Sequence, residues 1–202
     1  MIEHPLVHDA LVELRDVTTG PAAFRRAATR ISLLLAAEAL RAVPTVATTV
    51  TTPLGPAPGR VLRTDIVVVP VLRAGLSMLE PVLQLVPTAR VGHIGLQRDE
   101  STAVASRYYW KLPAGLSQSH VLMVDPMLAT GGSAVAAVDL VKAAGAPSIA
   151  LMCIISAPEG IGMLETRHPD VDIYTPIVDK ELNAHKFIVP GLGDFGDRLY
   201  GT

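Results

Sequence analysis

The sequence predicts an α/β fold built on a central, mostly parallel sheet flanked by helices. Three observations point to it: five unbroken apolar runs of strand length, helical stretches between most of them, and a chain of 202 residues, half of them apolar, which suits a single core. From Asp65 onward the runs are IVVVPV, VGHIGL, HVLMVD, SIALMCII and VDIYTPIV. Continuous apolarity, unlike alternation, reads as a strand buried on both faces. GLSMLEPVLQLV follows the first run, GSAVAAVDLVKAAG the third and PEGIGMLETRH the fourth, implying helical crossovers between parallel strands. One domain over residues 1–202 is expected.

Before the runs, PAAFRRAATRISLLLAAEALRAV repeats apolar residues at helical spacing and opens on Pro21, so it predicts a long amphipathic helix over 21–43, ended by Pro44. Arg26 and Arg30 share one face of it and read as a solvated face, with an anion or subunit contact as the alternative. TVATTVTT and RVLRT, separated by the Gly/Pro-rich turn PLGPAPG, predict a projecting antiparallel hairpin at about 45–64. RDESTAVASRYYWKLPAGLSQS is long, polar and poorly periodic, which predicts a flexible flap at about 98–119. The tail HKFIVPGLGDFGDRLYGT has too many glycines for a regular helix or strand interior, and too much apolar surface in Ile188, Val189, Leu192, Phe195 and Leu199 to fray in water. It predicts a folded hood over the sheet ends at about 183–202.

A formal charge of -2 and the lack of a dense Lys/Arg run argue against nucleic acid or anionic membrane as partner. The start MIEHPLVHDALVE carries an acid at Glu3 and no basic region before an apolar core, unlike a secretory leader. ISLLLAAEAL is too short for a membrane span and carries Glu38, so a cytoplasmic protein is expected. Cys153 is the one cysteine and lies in an apolar run, as a buried inert thiol does. His4, His8, His93, His120, His168 and His185 show no metal-ligand spacing, and no protein-held metal site is expected.

In such sheets ligands sit beyond the carboxyl ends of the strands, so the chemistry belongs to the loops after the runs. VLMVDPMLATGGSA passes from a strand through Asp125, Pro126, Met127, Leu128 and Ala129 to Thr130, Gly131, Gly132 and Ser133 at a helix start. Free N–H groups, the helix dipole, two hydroxyls and the absence of Cβ atoms favour a phosphate there. The lysine of a nucleotide-hydrolysing loop is missing, so a terminal monophosphate fits better than a triphosphate. Asp125, some five residues earlier, is placed to accept hydrogen bonds from the hydroxyls of a sugar whose 5′-phosphate lies in the loop. In VPVLRAGLSM, Arg73 sits between a strand end and a helix start.

DPMLATGGS resembles the signature of phosphoribosyltransferases that use phosphoribosyl diphosphate, in the form found in uracil phosphoribosyltransferases, with Pro126 and Ala129 where most purine members have acids. The tail resembles that family's uracil-recognition segment, and the likeness extends from HPLVHDALVELRD through TGPAAFRRA to the final YGT. The resemblance implies a type I phosphoribosyltransferase-like fold and the reaction of uracil with phosphoribosyl diphosphate to give UMP and diphosphate. It implies that Arg73 and Arg98 bind the diphosphate, that residues 125–133 cradle the phosphoribosyl group, and that Ile188, Gly193, Asp194 and Phe195 meet uracil, largely through the main chain. Asp125, Asp194 and Arg73 become the catalytic candidates, with Mg²⁺ carried in on the diphosphate. Phe195 stands where the family more often has alanine; turned inward, its ring would narrow the base pocket. The resemblance also implies at least a dimer and leaves activation by GTP open. Two alternatives are an RNA-binding regulator of the same fold that senses uridine nucleotides, and a phosphoribosyltransferase for another base.

Overall fold

Continuous apolar runs demand cover on both faces, and the computed structural model supplies it; it describes residues 2–98 and 105–202. In chain order the elements are α1 (Pro5–Arg15), α2 (Pro21–Ala39), β1 (Thr45–Thr52), β2 (Gly55–Leu62), β3 (Asp65–Leu72), α3 (Leu76–Leu85), β4 (Arg90–Val91), β5 (His93–Arg98) and β6 (Ala105–Lys111). There follow β7 (Ser119–Val124), β8 (Met127–Leu128), α4 (Gly132–Ala143), β9 (Ser148–Met152), β10 (Ile155–Ser156), α5 (Pro158–Arg167), β11 (Asp172–Tyr174), β12 (Glu181–Leu182), β13 (Ile188–Val189) and α6 (Phe195–Tyr200). Among the described residues the central sheet has seven strands in the order β11, β9, β7, β3, β5, β6, with β4 also beside β3. All its pairs are parallel except β5 with β6.

Alternate residues of each central strand enter opposite cores. Ile66, Val68, Leu122, Val124, Ala150 and Met152 pack towards α1, α2, α3 and α6. Val67, Val69, Val121, Met123, Ile149 and Leu151 pack towards α4 and α5. The chain builds outward from β3 through β5 to β6, then returns to the other side of β3 for β7, β9 and β11. Strand order therefore reverses between β3 and β7, and a crevice opens beyond the carboxyl ends of these two strands.

Several local expectations are corrected. α2 stops at Ala39, one turn short of the expected 43, because Pro44 disfavours helical backbone before it and residues 40–42 fold into a turn. The Gly/Pro-rich PLGPAPG is mostly strand: β2 pairs with β1 from Gly55, and only Pro53 and Leu54 turn the chain. Proline is tolerated because a two-stranded ribbon has an outer edge on each strand, where a missing N–H breaks no ladder. The expected flap contains β6, the antiparallel edge strand, which follows 99–104; those six residues lie outside the described residues. The tail does hold a short helix, α6, contrary to the expectation from its glycines. Asp194 caps it by accepting from Asp197 N at 2.9 Å, and Gly201 ends it in the left-handed region at φ 76°. Pro5 at the first turn and the cap by the His4 side chain open α1, for which no expectation was made. Arg30 is not merely solvated: its guanidinium binds Asp9 of α1 at 2.6 Å and Glu13 at 3.4 Å.

Candidate active site

Two loops flank the reversal of strand order. The first leaves β3 at Arg73, whose side chain is exposed, and reaches α3 through Gly75. Gly75 is an unforeseen requirement: a Cβ there would collide with Val124 O and come within 2.6 Å of Val71 O, so the loop lies directly against the end of β7. The second leaves β7 at Asp125, which is half-buried. Its N–H donates to Met152 O at 3.1 Å, and β8 then pairs in parallel with β10. Ile154 N and Ile155 N both donate to Pro126 O at 3.0 Å, and Ala157 N donates to Leu128 O at 2.9 Å. This backbone stitching fixes Pro126, Met127, Leu128 and Ala129 against the neighbouring strand connection.

Thr130 and Gly131 then turn the chain into α4. Gly131 has φ 82°, and a Cβ on it would come within 2.8 Å of both Gly160 O and Met163 Cβ. Gly132, by contrast, is exposed, and a Cβ there would find only Thr130 Oγ1 at 3.9 Å. No side chain caps α4 at Gly131, so the leading N–H groups, near Gly132 and Ser133, have no acceptor within the helix. The two glycines thus differ: Gly131 is closely confined by its neighbours, whereas Gly132 has space beside it.

The tail meets the start of the second loop. A cavity of about 200 Å³ is lined by Met127 and Ala129 from the loop after β7 and by His185, Lys186, Phe187, Ile188, Gly193 and Asp194 from the tail. The structure therefore brings two of the three sequence-predicted segments to one cavity. The third meets the tail where Tyr200 Oη donates to Arg73 O at 3.4 Å. Phe195 follows the cavity-lining Asp194, and its ring is 1 % exposed and packs on Phe24 in the core, so it does not narrow the pocket. Arg98 ends β5 opposite Ala105, at the start of the expected flap. His185, Lys186 and Phe187 were missed; the only signal in the sequence was their place just before Ile188.

Charge near the site is simple. Burial pushes the Cys153 thiol well above its ordinary value, with nearby Asp125 adding to the shift, so this cysteine is inert behind the site. Among the described residues no group of three or more His, Cys, Asp or Glu side chains could hold a metal ion.

Known proteins share this arrangement. The family model for uracil phosphoribosyltransferase matches residues 1–202. A uracil phosphoribosyltransferase of Dictyoglomus thermophilum is 53 % identical over 203 residues, covering 100 % of this chain and 98 % of the relative. One from Symbiobacterium thermophilum is 50 % identical, covering 100 % of this chain and 97 % of the relative. A solved structure of an Aquifex aeolicus protein superposes with a TM-score of 0.95 at 37 % identity, covering 100 % of this chain and 97 % of that one. A hypoxanthine-guanine phosphoribosyltransferase of Bacillus anthracis shares the fold alone, with a TM-score of 0.54 at 12 % identity, covering 79 % of this chain and 80 % of the other.

Proposed function

The chain belongs to the uracil phosphoribosyltransferase family, and from that premise we propose how its residues perform the family's reaction. The enzyme acts in pyrimidine salvage, converting uracil and phosphoribosyl diphosphate to UMP and diphosphate. The RNA-binding regulator and the enzyme for another base are not favoured. One observation carries the assignment of roles: Met127 and Ala129 of the phosphate loop share a cavity with Ile188, Gly193 and Asp194 of the tail. A base in that cavity lies beside a sugar whose 5′-phosphate rests on the N-terminus of α4.

The bond made joins uracil N1 to ribose C1′ while the C1′–diphosphate bond breaks. Positive charge builds on the sugar and negative charge on the departing oxygens, so carboxylates near the first and cations near the second lower the barrier. Asp125 accepts from the ribose hydroxyls, and Asp194 stands on the base side of the sugar. Arg73 and Arg98 pair with the diphosphate, each offering a planar fork to two oxygens. Mg²⁺ bound to the diphosphate adds charge stabilisation to the leaving group. Uracil is read by main-chain groups around Ile188 and Gly193, which leave cytosine with unpaired polar groups.

A homodimer formed through the projecting hairpin is part of the proposal, since Val46, Val50, Leu54, Val61 and Leu62 are exposed along it. A cytoplasmic location fits a chain in which, among the described residues, no helix is long and apolar enough to cross a membrane. GTP as an effector rests on the family resemblance alone, and adding it to the assay tests it. The decisive experiment incubates the protein with phosphoribosyl diphosphate, Mg²⁺ and each nucleobase separately and separates the products. UMP from uracil alone is expected; turnover of a purine in preference to uracil overturns the reading.

A further inference from the structure

The loop that meets the base has little structure of its own. From Ile188 to Asp194 it contains Gly191 at φ 63° and Gly193 at φ 81°, and its only ladder among the described residues is the two-residue pairing of β13 with β12. Yet main-chain recognition requires its peptide groups to be fixed relative to the sugar. Gly191 is where outside elements take hold.

Both main-chain groups of Gly191 are bound by side chains from elsewhere. Its N–H donates to Asp179 Oδ2 at 2.8 Å, and its carbonyl accepts from Arg15 Nη1 at 3.0 Å. The two side chains are also locked to each other: Arg15 Nη2 donates to Asp179 Oδ1 at 2.6 Å and Nη1 to Oδ2 at 3.0 Å. Asp179 is 6 % exposed, so this carboxylate sits in a setting where geometry is enforced. A side chain at Gly191 could not be accommodated, because a Cβ would collide with Ile188 O.

Asp179 is itself registered against the phosphate loop. Its N–H donates to Ser156 O at 2.8 Å, and Ser156 pairs with Leu128 across β10 and β8. A path of strand pairing and hydrogen bonds thus runs from Leu128, whose carbonyl accepts from Ala157 N, through the adjoining Ser156 and Asp179 to Gly191. Arg15 anchors the path to the last turn of α1. Arg198 adds a second tie to the same turn, donating to Leu14 O, to Asp16 O at 2.5 Å and, within the base loop, to Leu192 O at 2.8 Å.

We propose that Arg15 and Asp179 are positioning residues for base recognition: they hold Gly191, and with it Ile188, Gly193 and Asp194, at a set distance from the phosphate loop. Neither touches substrate. The inference rests on the assignment of the cavity to uracil. It gives α1, far from the loop in sequence, a part in specificity.

The test measures wild type, Arg15→Met, Arg15→Lys and Asp179→Asn as full-length proteins, with kcat and KM for uracil and for phosphoribosyl diphosphate, turnover of 2-thiouracil, and thermal unfolding. Wild-type turnover of uracil checks the underlying reading separately. Misplacement of about 1 Å costs up to about a hundredfold, so kcat/KM for uracil is expected to fall by about tenfold or more in Arg15→Met, with KM for phosphoribosyl diphosphate within about twofold. Preference for uracil over 2-thiouracil should fall with it. Arg15→Lys keeps the charge but not the fork, and should lie between wild type and Arg15→Met. If Arg15→Met does not fold, Arg15→Lys and Asp179→Asn decide by the same ratio. Folded variants with unchanged uracil kinetics, or equal losses for both substrates, overturn the proposal while leaving the assigned reaction intact.

Discussion

Phe195 meets Phe24 edge to face, with ring centroids 4.9 Å apart and planes inclined by 67°. The guanidinium of Arg198 lies 4.6 Å from the centre of the Phe24 ring, so three side chains fasten α6 to α2. The bulky residue at the start of α6 is therefore a core residue, next in sequence to Asp194, which lines the cavity. Phe195→Ala is expected to cost about 3–5 kcal/mol of stability, as truncation of a buried phenylalanine usually does. Denaturant unfolding measures it. Preference for uracil over cytosine should survive in the folded fraction, and its loss would place the ring in the pocket after all.

The parallel strands were legible because burial on both faces leaves no polar residue in the run, as in Val67, Val68 and Val69. The turn into α4 was legible because glycines beside hydroxyls after a strand mark a helix start, as Thr130 and Gly131 do. β6 was hidden because it is an edge strand with Tyr108, Tyr109 and Trp110 all half in solvent, so no alternation marks it. In β2, Pro56 and Pro58 carry the local signal of a turn, and only pairing with Thr51 and Thr49 makes them strand. α6 was hidden by Gly196, since its formation depends on the cap by Asp194 and on burial of Phe195 and Leu199. The Arg15–Asp179 pair spans 164 positions, and one sequence gives no sign of such a contact.

Gly131 and Gly132 are predicted to respond differently to alanine. At Gly131 the added methyl meets Gly160 O and Met163 Cβ, and φ 82° is itself unfavourable for alanine. Gly131→Ala should lower the melting temperature and weaken activity together. At Gly132 the only neighbour is 3.9 Å away, and alanine suits a helix start better than glycine. Gly132→Ala should fold at least as stably as wild type yet raise KM for phosphoribosyl diphosphate, because the methyl occupies the anion's space. Unchanged KM in Gly132→Ala would remove the phosphate from this helix end.

Arg73 has an exposed side chain at the end of β3, so its replacement leaves both cores untouched. Arg73→Ala is expected to lose about 3 kcal/mol of transition-state stabilisation, roughly a hundredfold in kcat/KM for phosphoribosyl diphosphate. Arg73→Lys should recover only part of this, because a point charge cannot pair with two oxygens in a fork. Steady-state kinetics on the three proteins, with thermal unfolding as a control, checks both statements. Wild-type kinetics in Arg73→Ala would exclude it from the diphosphate site.

Cys153 gives the chain an alkaline dependence of stability. Its folded thiol titrates well above the ordinary value of 9.0, first through burial and then through Asp125. The unfolded chain therefore releases this proton first. Its contribution to stability is full below the unfolded thiol's value and is lost as pH rises from there towards the folded value. Cys153→Ala should flatten that part of the alkaline decline. A thiol reagent should label native protein only as fast as the core opens, and rapid labelling of the folded state would contradict the burial.

Asp194 has two jobs, and two substitutions separate them. Its Oδ1 accepts from Asp197 N at 2.9 Å and caps α6, while the residue also lines the cavity proposed for the base. Asparagine caps a helix about as well as aspartate, so Asp194→Asn should keep the melting temperature near wild type. It removes the negative charge beside a sugar that becomes cationic, and kcat should fall by about a hundredfold or more. KM for phosphoribosyl diphosphate should change far less, since the ground-state sugar carries no such charge. Asp194→Ala should add the loss of the cap, about 1 kcal/mol, visible in thermal unfolding. If Asp194→Asn turned over at the wild-type rate, the cap would be the residue's whole contribution, and Asp125 alone would remain to face the developing charge.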